Sequence, residues 1–137
     1  MNILIDCPFS HNRKKLISLQ ERKSKITFEN SDEKSIKVYQ PDKCEVYTDM
    51  GCDFLLVVES ASSGFFVELK GRNYEHGIKQ LKSTIEHVKS TNKINIMKAY
   101  LVSLNRPIST RIQKDRFVFQ RMLCPLMVMK PQQIITI

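Results

Sequence analysis

The sequence predicts an α/β protein with a central mixed β-sheet flanked by helices, and three observations carry that prediction. Two apolar runs, residues 54–59 and 65–70, are separated by a short polar turn, which makes them an antiparallel strand pair. Tyr74, Ile78, Leu81, Ile85 and Val88 then recur at spacings of 4, 3, 4 and 3, the buried stripe of a helix over about residues 74–90. A further strand over 94–104 follows. Strand, covering helix and strand form a crossover unit, and its second strand lies parallel to the first in one sheet.

Taken from the N-terminus, residues 10–25 read as a basic helix, capped by Ser10, with Leu16, Ile17 and Gln20 near helical spacing. Residues 26–29 and 35–40 are two short strands joined by the polar turn 30–34, and Pro41-Asp42 breaks the chain. Residues 45–48 suggest a short extended piece and 49–51 a bend. The run Phe-Leu-Leu-Val-Val from Phe54 is apolar on both faces and belongs inside a sheet. Residues 60–64 form the turn, and Gly71 ends the second strand. Asn73 caps the following helix, whose Lys79, Lys82, Glu86 and Lys89 fall off the apolar stripe, and 91–93 form its exit. Beyond Pro107, residues 109–116 begin a helix, whereas 117–119, 126–129 and 134–137 read as extended.

At 137 residues the chain is expected to form one domain, and 42% apolar residues are enough to build a core, which excludes a disordered chain. No apolar stretch approaches the roughly 20 residues that cross a bilayer. Asp6 interrupts the short N-terminal apolar stretch and no basic flank precedes it, so the cytoplasm is the expected location. Cys7, Cys44, Cys52 and Cys124 lack zinc-ribbon spacing and are expected as buried or idle thiols in a reducing compartment. No phosphate-binding G-x-x-x-x-G-K-[ST] loop and no Gly-x-Ser-x-Gly elbow is present. His11, His76 and His87 read as surface residues.

Charge is unevenly spread. Residues 44–69 hold Glu45, Asp49, Asp53, Glu59 and Glu68 and no Lys or Arg. From Lys70 onward 13 basic residues face 3 acidic ones, a balance of +10 in a chain of net charge +8. The pattern suits a carboxylate cluster for a metal, framed by cations for a polyanion. Arg106, Arg111, Lys114, Arg116 and Arg121 form the basic series of the last third, suited to phosphate contacts that position nucleic acid without reading sequence.

Glu68 and Lys70 lie two apart on a strand and therefore share a face with Phe66. Asp53 begins the preceding strand, and an antiparallel return brings it beside the end of the next. A register in which paired residue numbers sum to 123 sets Asp53 opposite Lys70, and a slip of one residue sends it to the other face. Two carboxylates at a strand end suit a hard divalent cation, Mg2+ or Mn2+. Asp53 and Glu68 supply oxygen ligands, the carbonyl of Leu69 another, and Lys70 orients or deprotonates a water. The bland reading is a structural ion pair between Glu68 and Lys70.

Asp53, an apolar strand, then Glu68-Leu69-Lys70 resembles the active-site pattern of the PD-(D/E)XK nuclease superfamily. The order helix, strands, motif hairpin, helix, strand over residues 10–104 resembles that family's core. The resemblance implies a restriction-endonuclease-like core and a metal-dependent nuclease, an endonuclease acting on DNA ahead of RNA. It also implies a homodimer whose protomers each cut one strand. Cys52 stands where the family pattern has Pro. Glu21 is the candidate for a Glu that many members carry on the first helix, and Gln80 for a Gln on the helix after the motif. The alternative is a catalytically silent nucleic-acid- or partner-binding module on the same fold.

Overall fold

The structure is a computed structural model that describes residues 6–44, 50–70, 73–92, 94–104 and 107–137, without the side chain of Lys70. The elements in chain order are β1 (Phe9–Asn12), β2 (Leu16–Glu21), β3 (Ser24–Glu29), β4 (Ile36–Tyr39), β5 (Phe54–Val58), β6 (Ser63–Lys70), α1 (Tyr74–Thr91), β7 (Ile96–Ser103), α2 (Ser109–Arg121), β8 (Leu126–Met129) and β9 (Gln133–Thr136). The expected extended piece 45–48, Asp49 of the expected bend, Gly71, Lys93 and Arg106 lie outside the described residues.

The fold is α/β. A six-stranded mixed sheet runs in the order β1-β4-β5-β6-β7-β8, and a three-stranded sheet in the order β2-β3-β9. β5 and β6 pair antiparallel at its centre, and β6, β7 and β8 run parallel, as the crossover unit requires. Continuous apolar character places β5 and β6 inside: Leu55, Leu56, Phe66 and Val67 are fully buried. The α1 stripe faces the same core, with Leu81, Ile85 and Val88 excluded from solvent beside Leu55, Val57, Phe66 and Leu101. Asn73 caps α1, its Oδ1 accepting from the His76 amide at 3.1 Å.

Helices cover one face of the large sheet. The other face, carrying Leu56, Phe65, Val67, Tyr100 and Val102, packs on Ile17, Leu19, Ile26 and Phe28 of the small sheet. The expected mixed sheet flanked by helices is present, with both helices on one face and a β layer on the other. The basic helix expected at 10–25 is replaced by β1 and β2. Ile17 and Leu19 are buried while Ser18 and Gln20 are exposed, which is the period-2 alternation of a half-buried strand. Residues 117–119, expected as extended, continue α2, and Phe119 is its buried anchor. The strands expected at 126–129 and 134–137 are β8 and β9.

The register of the central hairpin also differs from the expected one. Phe54 pairs with Val67 and Val58 with Ser63, so paired numbers sum to 121. A 3-10 turn at Glu59–Ala61 and Ser62 at φ 48° reverse the chain early and let β6 begin at Ser63. The shift is two residues, so every side chain keeps its face.

Candidate metal centre

Continuing the β5–β6 register by one residue sets Asp53 across from Glu68 rather than Lys70. Two hydrogen bonds fasten the pair. The Asp53 amide donates to Glu68 Oε1 at 3.0 Å, and the Leu69 amide donates to Asp53 Oδ2 at 2.7 Å. Both carboxylates are withdrawn from solvent, Asp53 at 6% exposure and Glu68 at 0%. The amide and carbonyl of one strand residue face the same neighbour, so the Leu69 carbonyl is directed to the Asp53 side. Lys70 continues β6 opposite Ser103.

A third and a fourth acid join from other parts of the chain. Carboxylate oxygens of Glu21, Asp42 and Asp53 all lie within 4.8 Å of one another. Glu21 stands at the end of β2, in the small sheet rather than on a helix. Asp42 sits in a 3-10 turn, Pro41–Lys43, where the sequence reads only as a chain break. Glu68 is outside this tight cluster and is joined to it through the Asp53 amide.

The loop ahead of Asp53 is held from two sides. On the helix side, Gln80 Nε2 donates to the Gly51 carbonyl at 3.2 Å, and Thr84 Oγ1 accepts from the Cys52 amide at 2.9 Å. On the turn side, the Asp42 amide donates to the Cys52 carbonyl at 3.0 Å. Gly51 is obligatory for that approach: a Cβ there would lie 2.6 Å from the carbonyl carbon and oxygen of Pro41 and 2.8 Å from the Asp42 nitrogen, all backbone atoms. Gln80 is thus a brace for the loop, two residues from Asp53. Cys52 is fully buried and its thiol is pushed well up, first by burial and then by Glu68, which makes it inert.

Cys7 and Cys44 form a disulfide, correcting the expectation of free thiols for these two, and the bridge ties the segment before β1 to the residue after the Asp42 turn. Cys52 and Cys124 are free and buried.

Crowded acids cannot all ionise cheaply. Burial raises the Asp53 carboxyl to about 7, helped by the charges of Glu21 and Asp42 and opposed by the Leu69 amide. Asp42 is raised by burial and by Glu21. With carboxylate oxygens of Glu21, Asp42 and Asp53 within 4.8 Å of one another, the charged form of each raises the cost of ionising its neighbour. Asp42 Oδ1 is buried without a hydrogen-bond partner. An orphaned oxygen in a set of hard oxygen donors fits a divalent cation, which would offset the crowded negative charge.

The rest of the predicted set disperses. His11 lies near Glu59 at 3.7 Å, and no histidine joins the acids among the described residues. Arg111 is neutralised by Glu75 at 2.9 Å and Asp115 at 3.3 Å, and the Arg121 guanidinium stands over the Phe117 ring. No helix described is long and apolar enough to cross a membrane. No protein-family model, curated protein or solved structure matches the chain.

Proposed function

We propose that this protein is a divalent-metal-dependent nuclease that hydrolyses phosphodiester bonds in nucleic acid, with DNA ahead of RNA on the strength of the PD-(D/E)XK resemblance. The observation that carries the reading is the pair Asp53 and Glu68, buried at a strand end and cross-linked through Asp53 N, with Asp42 and Glu21 drawn to Asp53. Ionising such a cluster is costly unless a cation compensates it.

In this reading Asp53, Glu68 and the Leu69 carbonyl would hold Mg2+ or Mn2+, and Asp42 and Glu21 would complete the oxygen set. When bound, such an ion offsets charge on the scissile phosphate and lowers the pKa of a water. The Leu69 amide fixes the Asp53 carboxylate, and the Asp53 amide fixes that of Glu68, so both are oriented before substrate arrives. Lys70 takes the role the resemblance implies, receiving a proton from the attacking water or steadying the pentacovalent phosphate. A homodimer with one cut per protomer and a cytoplasmic location belong to the same proposal. A reducing cytoplasm would favour the thiol form of the Cys7–Cys44 pair.

The test is paired: calcium binding by calorimetry and plasmid cleavage with Mg2+, for wild type, Asp53→Ala, Glu68→Ala and Lys70→Ala. Loss of cleavage and of calcium binding in the two acid variants, and of cleavage more than calcium binding in the Lys70 variant, is expected. Equal cleavage by wild type and the acid variants would reject this site, and absence of both cleavage and metal binding would favour the silent binding module.

A further inference from the structure

The parallel strands β6, β7 and β8 end at one edge of the large sheet, the edge at which open α/β sheets take their ligands. Glu68 pairs with Leu101 at this edge. Three residues further on, about 10 Å along an extended chain, Leu104 opens a cleft of about 680 Å³ between the start of α2 and the exit of β8. Its lining is of two kinds. Leu104 and Ile112 give an apolar floor, while Arg116 and Lys130 bring two cations, with Ser109 and Gln113 adding neutral hydrogen-bonding groups. Among the described residues no acidic side chain lines the cleft and neither cation has a carboxylate partner. Arg116 differs in this from Arg111, five residues back on α2, whose charge is consumed by Glu75 and Asp115.

We propose that this cleft binds an unpaired nucleotide of the substrate strand, so that the acid centre acts beside a single-stranded segment; the inference rests on the nuclease reading above. A base offers an apolar face to Leu104 and Ile112, and its flanking phosphates meet Arg116 and Lys130. A duplex hides its base faces in the stack and presents phosphates at its surface, which would leave the apolar floor without a partner. The size of the cleft suits a ligand of one or two nucleotides.

Fluorescence anisotropy on the full chain in calcium tests this, with a labelled single strand and a blunt duplex of equal length. Wild type should prefer the single strand. The double variant Arg116→Ala, Lys130→Ala should lose about tenfold in single-strand affinity. Its log–log salt slope should fall by about 1.4, or 0.7 for each of two phosphates. Leu104→Ser should weaken the single strand with the slope unchanged, because it removes a base contact and no phosphate contact. All three residues are solvent-exposed, and calorimetric calcium affinity equal to wild type verifies that the variants are folded. Equal affinity of wild type for the two probes, or equal losses on both in the double variant, overturns the cleft assignment and leaves the nuclease reading standing. If neither probe binds wild type while calcium does, both readings fall.

Discussion

Asp53→Asn isolates the electrostatic cost stored in the acid cluster. Asn keeps the shape of the side chain and an oxygen for the Leu69 amide, but it cannot ionise. The Asp53 carboxyl lies at about 7 against an ordinary 3.8, chiefly through burial. That is roughly three pH units at about 1.4 kcal/mol each. A carboxyl whose pKa is raised by folding holds its proton more tightly in the folded than in the unfolded chain. Stability from this group is therefore lost as pH climbs from about 4, where the unfolded chain ionises, to about 7, and the full deficit persists above. Integration gives about 2 kcal/mol at pH 5 and about 4 kcal/mol at pH 8. The Asn variant carries none of it. Urea unfolding with chelator should show the variant gaining on wild type by these amounts, with the two nearly equal in relative standing below pH 4. A difference that is the same at pH 5 and pH 8, or that shrinks with rising pH, refutes the argument.

Three further outcomes are expected. Gly51→Ala should destabilise the fold by about 1–3 kcal/mol, as overpacking does, and weaken calcium binding, because its Cβ would force the Pro41–Asp42 backbone away from the loop; chemical denaturation and calorimetry read the two effects. Reducing Cys7–Cys44, which closes a loop with a sequence separation of 37, should cost about 4 kcal/mol by loop entropy, seen as a lower urea midpoint with dithiol present. Calcium at a hundred times its dissociation constant should stabilise wild type by about 2.7 kcal/mol and Asp53→Asn much less, with melting temperature as the readout.

What the sequence disclosed follows from how local the determining physics is. The β5–β6 hairpin and α1 are legible because their apolar residues repeat in a fixed period and are buried as the period demands. The face shared by Asp53 and Glu68 is legible for the same reason, and it survived a two-residue error in register. Residues 10–25 misled because Leu16 is apolar yet exposed, which blurs the strand alternation, while Leu16, Ile17 and Gln20 mimic a helix. The turn between β2 and β3 gave no warning either. Arg22 occupies φ 53° there, a conformation usually announced by Gly or Asn. Asp42 was out of reach, because only the contact between the Pro41 turn and Gly51 brings it to Asp53. Glu21 was named for a helix and arrived on a strand.

The small sheet has a consequence for the order in which the molecule can be made. β3 is paired on one side by β2 and on the other, in parallel, by β9 at residues 133–136. Glu21 reaches the acid centre from this layer on the local β2–β3 hairpin, while the far edge of the layer is completed by a pairing that spans about a hundred residues of chain. Such long closures are slow and come late. On a translating ribosome the β2–β3 hairpin and the hairpin carrying Asp53 and Glu68 could both form well before residue 136 emerges, leaving the outer edge of β3 open until then. The closure by β9 would then seal the rim of a layer that already carries Glu21, so the acid cluster can assemble before the last strand is made.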